Sequence, residues 1–338
     1  MNLYINKKVE DYIRASRQRW HTPGHKGTLL STDITEIDDD FPGDAIIKAQ
    51  ERTAKILGAK HVRFLVGGSS MGIKASVIAA GGDILVAKNS HRALFEAARL
   101  AKVNVFTVEN EIRDDLPMPL SARQIESALK AHPSVKAVYI TSPDYYGLAA
   151  KADIAEVAKG RYLFCDGAHG AHFPFRTDLF PTSFSSFADA TNLSAHKTLP
   201  AFTQSAFLAV NNDELIGKID EALDLLGTTS PSYVLLGGLE YAACYTSQNA
   251  SHYDGLVTAI NDLKSKVPTL SNDDITRVVV DAFRMGLSGE ELYLRLKKRG
   301  IVAEKYDHRY VVFIVSICDT PHDIDILKDE LCEASLLR

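Results

Sequence analysis

Cysteine is scarce and scattered: Cys165, Cys244, Cys318 and Cys332 stand alone among 338 residues, with no C-x-x-C pair. That spacing argues against a disulfide framework or a zinc site and points to reduced, mostly buried thiols. Basic runs are missing as well. Lys and Arg number 38 against 43 Asp and Glu, a formal net charge of −5, so nothing resembles the cationic tracks that follow phosphate backbones, and nucleic-acid binding is set aside. No apolar run approaches a membrane span without charges or turn residues, and Met1 to Glu10 lacks the apolar centre of a secretory signal. Internal repeats and low-complexity segments are also absent. These absences leave a folded, soluble, cytoplasmic protein. Its length exceeds what one core usually serves, so two domains are expected.

What is present is an alternation of strand-like and helix-like segments from about His61 onward, the pattern of a mostly parallel sheet wrapped by helices. Strands are predicted over His61–Val66, Asp83–Lys88, Asn104–Val108, Ala137–Ser142, Arg161–Cys165, Asp189–Leu193 and Ser205–Val210. Helices are predicted over Met71–Ala80, His91–Ala101, Ser121–Ala131, Asp153–Lys159 and Asp213–Leu226. Ser121 opens its helix with a Ser-x-x-Gln capping box. A long helix from Ser232 to about His252 leaves the main sheet. Beyond it Thr276–Ala282, a Ser-x-x-Glu-capped helix from Ser288 to Arg299, and Tyr310–Ile317 form a strand, helix, strand unit. The expected division is therefore 1–250 for a large α/β domain with an N-terminal helical segment, and 251–338 for a smaller α/β domain.

Two residues at predicted strand ends carry chemistry. Asp166 follows the apolar run Arg161–Cys165, and Lys197 follows Asp189–Leu193 within Asn192-Leu-Ser-Ala-His-Lys-Thr-Leu199. Carboxyl ends of strands are where open α/β sheets bind ligands. A lysine amine that condenses with an aldehyde, and a carboxylate that keeps a pyridine nitrogen protonated, are the two groups a pyridoxal phosphate enzyme requires. Val66-Gly67-Gly68-Ser69-Ser70 joins a strand to a helix, and such a turn offers backbone amides and hydroxyls to an anion. By themselves a lone lysine is ordinarily a solvated surface group and an Asp after a strand a turn residue. His91 alone would be a helix cap. His21, His25, His169 and His172 lack the spacing of a metal site.

The wider chain resembles the Orn/Lys/Arg decarboxylase group, pyridoxal phosphate enzymes of the aspartate aminotransferase fold type I. His21-Thr-Pro-Gly-His-Lys-Gly27, Asn89-Ser-His91, Ser142-Pro-Asp-Tyr-Tyr-Gly147, Asp166-Gly-Ala-His-Gly-Ala-His172, Ser194-Ala-His-Lys-Thr-Leu199, Thr203-Gln-Ser-Ala206 and Thr228-Thr-Ser-Pro-Ser-Tyr233 match it in order. The resemblance implies a Schiff base on Lys197, a pyridinium held by Asp166, and His91 stacked on one ring face with Ala168 on the other. It assigns the phosphate to Gly68, Ser69, Ser70, Ser194 and His196. Thr229 and Ser230 would reach the phosphate of a second copy, which implies a homodimer with its site at the interface. His21 to Gly27, ahead of the acidic stretch Glu36–Asp44, would lie near the mouth of the site.

The implied activity is decarboxylation of lysine, arginine or ornithine. Transamination, another lyase reaction or an inactive cofactor-binding paralogue use the same constellation, because orientation decides which bond breaks. Three departures stand out from the group's usual pattern. Gly167 stands for a glutamate, Gly67 for an asparagine, and Asp144 for a threonine that would contact the phenolic oxygen, where an ionised carboxylate cannot donate. The chain also ends soon after the strand, helix, strand unit, where longer members continue into a region that helps close the substrate pocket, so weaker substrate affinity is expected.

Overall fold

A computed structural model of the chain describes residues 1–37 and 44–336. Six residues of the acidic stretch Glu36–Asp44, and the last two of the expected smaller domain, lie outside the described residues. The strands are β1 (His61–Leu65), β2 (Ile84–Ala87), β3 (Val105–Val108), the two-residue hairpin arms β4 (Ile112–Arg113) and β5 (Leu116–Pro117), β6 (Ala137–Thr141), β7 (Tyr162–Asp166), β8 (Ala190–Leu193), β9 (Ala206–Val210), β10 (Arg277–Asp281), β11 (Lys305–Tyr306) and β12 (Tyr310–Ile314). Seven of them form one sheet in the order β1-β9-β8-β7-β6-β2-β3. Only β9 runs against the rest, antiparallel to both β1 and β8.

The sequence explains this sheet. Ile84 to Ala87, Leu163 to Asp166, Ala190 to Leu193 and Ala206 to Val210 are buried at every position, as strands covered on both faces must be. Each buried Leu, Val or Phe side chain contributes about 1.5–3 kcal/mol. One apolar cluster joins the helices Tyr4–Ala15, Ala45–Leu57 and Tyr233–Gln248 to Phe64, Leu193, Phe207 and Ala209. Another packs Ser69–Ala80, Arg92–Ala101 and Ile216–Leu226 against Ile84, Val86, Tyr139, Phe164 and Leu208. The Ser121/Gln124 capping box forms in full at the start of Ala122–Ala131.

Two helical expectations change. The segment 153–159 yields a single turn, Ile154–Val157, because Gly160 at φ +81° turns the chain directly into β7. The long helix expected from Ser232 to about His252 ends sooner, as Tyr233–Gln248, where the Asn249 N–H is taken by the carbonyls of Tyr245 and Thr246, and a further helix, His252–Lys266, follows it. The second sheet, β10-β12-β11, keeps the order strand, helix, strand through Gly289–Lys298, whose Ser288/Glu291 capping box is complete. Its strands pair antiparallel. The helices His252–Lys266, Gly289–Lys298 and Pro321–Leu336 supply Leu256, Ile260, Leu292, Leu296 and Leu331 to the cluster over that sheet.

Candidate active site

Five parallel strands deliver their carboxyl-end loops to one place. The turn after β1, the loop after β2 with His91, the Pro143–Tyr146 segment after β6, Asp166 to His169 at the end of β7 and Ser194 to Lys197 after β8 line a cavity of about 360 Å³. Register puts Asp166 level with Thr141 on one side and Asn192 on the other, so the carboxylate stands at a strand end in mid-sheet.

Gly68, at φ +74° and ψ 174°, precedes the helix Ser69–Ala80. Only glycine adopts that backbone freely, and Gly68, Ser69 and Ser70 line the cavity at the amino end of this twelve-residue helix. Ser194 Oγ donates to Ser69 Oγ at 2.7 Å, joining the β8 loop to this turn. His196 donates Nδ1–H to the Ser205 carbonyl at 3.0 Å. Amides, two hydroxyls and a helix amino terminus form a donor set suited to an anion. Close packing supports it: a Cβ on Gly72 would lie 2.0 Å from Asn192 Oδ1.

Asp166 is 5% exposed. Its Oδ1 accepts the Ala168 N–H at 3.2 Å, and no ion pair among the described residues includes it. Burial pushes the carboxyl up, against the Ala168 amide and the charges of His91 and Lys197. A buried carboxylate without a cation is costly, and a protonated ring nitrogen would supply the missing partner. His91 caps Arg92–Ala101, accepting the Ala93 N–H at Nδ1 (3.2 Å), and also lines the cavity. Ala168 is buried at its wall.

Lys197 Nζ lies 3.0 Å from His169 Nε2 and 5.3 Å from the Tyr145 ring centroid. Burial pushes its amine down, opposed by Asp166 and Glu304 and helped by Arg277. His169 lies within the Asp166–His172 block, and the sequence alone gives it no separate role. It is 4% exposed and packs on Tyr145 with centroids 4.1 Å apart. Arg277, which opens β10 and has no motif around it, donates Nη2 to the His169 carbonyl at 2.9 Å. Its placement inside an apolar strand, Arg277-Val-Val-Val-Asp281, was the only available signal. Among the described residues no group of His, Cys, Asp and Glu is arranged to hold a metal. His172 pairs instead with Asp274 and Thr276.

The departures acquire physical reasons. A Cβ at Gly167 would sit 3.0 Å from Leu193 Cδ2 and 3.3 Å from Asn192 O, so a side chain there requires the β8 residues to give way by a few tenths of an ångström. At Gly67 a Cβ would meet Met71 Sδ at 2.9 Å. Asp144 lines the cavity, but its Oδ1 accepts the N–H groups of Tyr146 and Leu148, both at 2.9 Å. Burial pushes it up to about 6, so it carries its proton under mildly acidic conditions. Thr229 and Ser230 are exposed and do not line this cavity; Ser230 donates its hydroxyl to Glu36. His21 and His25 are also outside it, bonded to Tyr12 and Asp33.

Comparison with known proteins adds to this geometry. An arginine decarboxylase of Halalkalibacterium halodurans is 29% identical over 360 residues, covering 93% of this chain and 73% of that protein. An arginine decarboxylase of Bacillus subtilis is 27% identical, covering 94% and 75%. The Francisella novicida lysine decarboxylase superposes with a TM-score of 0.82 at 17% identity, covering 98% of this chain and 60% of that one, which shows the fold. The chain thus spans about three fifths of that solved enzyme. The model of the Orn/Lys/Arg decarboxylase major domain matches residues 28–283, more than half of the sequence, and the chain belongs to that family.

Proposed function

We propose that this protein decarboxylates a basic amino acid, at least one of arginine, lysine or ornithine, with pyridoxal phosphate attached to Lys197. The observation that carries this reading is the pairing, across one cavity, of a half-buried lysine amine with a buried carboxylate that lacks a cation. When bound, the cofactor supplies an electron sink for the bond between Cα and the carboxylate. Lys197 would provide the amine for the aldehyde carbon, and Asp166 would keep the ring nitrogen protonated. His91 and Ala168 would flank the ring, while Gly68, Ser69, Ser70, Ser194 and His196 would hold the phosphate. Family membership and the arginine decarboxylases among the relatives favour decarboxylation over amino transfer.

A second copy completes the site in this reading, through Thr229 and Ser230. Both are exposed and neither lines the cavity of its own chain, which supports that role. The smaller unit, 251–338, contributes through β10, whose first residue contacts His169. A cytoplasmic setting suits four scattered cysteines with no C-x-x-C pair among them, and among the described residues no helix is long and apolar enough to cross a membrane. The test is an amino-acid panel assayed for both carbon dioxide release and amino transfer, with borohydride reduction and peptide mapping. Carbon dioxide from a basic amino acid and cofactor mass on Lys197 are expected. Turnover confined to neutral or acidic amino acids, or the label on another lysine, would overturn it. Sedimentation should show an active dimer.

A further inference from the structure

Arg277 is fully buried, yet of its guanidinium nitrogens Nη2 alone makes hydrogen bonds, and both go to His169: 2.9 Å to the carbonyl and 3.4 Å to Nδ1. Nη1 stands 3.7 Å from Asp274. The position is enforced from above. Gly147, at φ +80°, has room for no Cβ, which would sit 2.9 Å from Arg277 Cβ and Cγ, and the Gly147 carbonyl takes the N–H groups of Asp273 and Asp274. Arg277 does not line the cavity, so it acts on the site through His169.

We propose that Arg277 is a positioning residue that fixes the tautomer of His169, so that Nε2–H donates to Lys197 and holds it as a free amine, a role that rests on reading Lys197 as the nucleophile. A guanidinium has only donors and stays charged. Facing it, Nδ1 must be the bare nitrogen of the ring. A neutral imidazole carries one proton, which then sits on Nε2, 3.0 Å from Lys197 Nζ. An ammonium there would oppose donor to donor; a free amine accepts through its lone pair. The other tautomer would turn Nδ1–H against the guanidinium, and an imidazolium would put three cations in contact.

The surroundings agree. Burial, with Lys197 and Arg277, pushes His169 well below the ordinary range, against Asp274. Toward Lys197, Asp166 and Glu304 favour the ammonium, while burial and Arg277 favour the amine. Lys305, on the Tyr145 ring, adds a further positive charge to the same wall.

Nitrogen-15 NMR of histidine-labelled, full-length protein freed of carbonyl ligands reads the tautomer directly, with His169 assigned through His169→Gln. Pyrrole-type Nε2 and pyridine-type Nδ1 are expected. Acylation of Lys197 by acetic anhydride, followed against pH by peptide mass, gives the second readout. Arg277→Met should mix the tautomers and raise the Lys197 midpoint by about one pH unit, the scale of one hydrogen bond, and Arg277→Lys should restore most of it. A proton on Nδ1 in the unaltered chain, or an Arg277→Met protein in which neither readout moves, overturns the role; if Arg277→Met fails to fold, the unaltered chain still decides. Borohydride trapping separates the two readings: no cofactor on Lys197 defeats the enzyme assignment, whereas trapping on Lys197 with the reverse tautomer defeats only this one.

Discussion

Two aspartates about equally removed from water behave in opposite ways. Asp274, in the segment leading into β10, receives His172, Arg277 and the Thr276 hydroxyl, and these partners hold its carboxyl well below the usual carboxylate range despite complete burial. Asp166, at the end of β7, has the Ala168 amide alone within bonding distance, and burial carries its carboxyl upward. A buried charge with partners belongs to the scaffold. One that the fold leaves without a cation, facing a cavity, is placed where a cationic ligand would offset its burial.

Removing each carboxylate tests that contrast. Asp274→Asn should cost about 3–5 kcal/mol in urea unfolding, because Arg277 and His172 lose the partner that offsets their burial. A loss under about 1 kcal/mol would place Asp274 outside the scaffold. Asp166→Asn should keep the fold and its unfolding midpoint in the cofactor-free chain, since an amide oxygen still accepts the Ala168 N–H, while decarboxylation falls by about 100-fold or more, the scale of one electrostatic stabiliser. Near-normal turnover would contradict its role.

Asp144 gives the smallest effect and sharpens the comparison through pH. Its folded value of about 6 lies above that of an unfolded aspartate, so the native state binds the extra proton. Stability from this group is then fully present below about pH 4 and declines by about 2–3 kcal/mol as pH rises through 6. Asp274 works in reverse, contributing above the unfolded value and losing it as pH falls. Unfolding at pH 4.5 and 7 should therefore show Asp144→Asn gaining more on the unaltered protein at the higher pH. An equal difference at both would remove the titration from the account.

Most strands and both capping boxes were legible because they depend on neighbours in the chain: runs of apolar residues, and Ser three positions before Gln or Glu. Lys197, Asp166 and the Gly68–Ser70 turn were legible for the same reason, each following its own strand. The end of the helix after Ser232 was legible to within a few residues, whereas the helix His252–Lys266 beyond it was not singled out. His169 and Arg277 were missed as partners because 108 residues separate them.

The sequence by itself determined the alternation of strands and helices, the family, and which residues follow each strand end, because local propensity and burial pattern act over a few residues. Only the tertiary structure decided which charges are paired and which stand alone. For Asp274 that choice depends on where the segment entering β10 docks against the loop at Gly147, and for Asp166 on the strands β6 and β8 that flank β7, contacts between residues far apart in the chain.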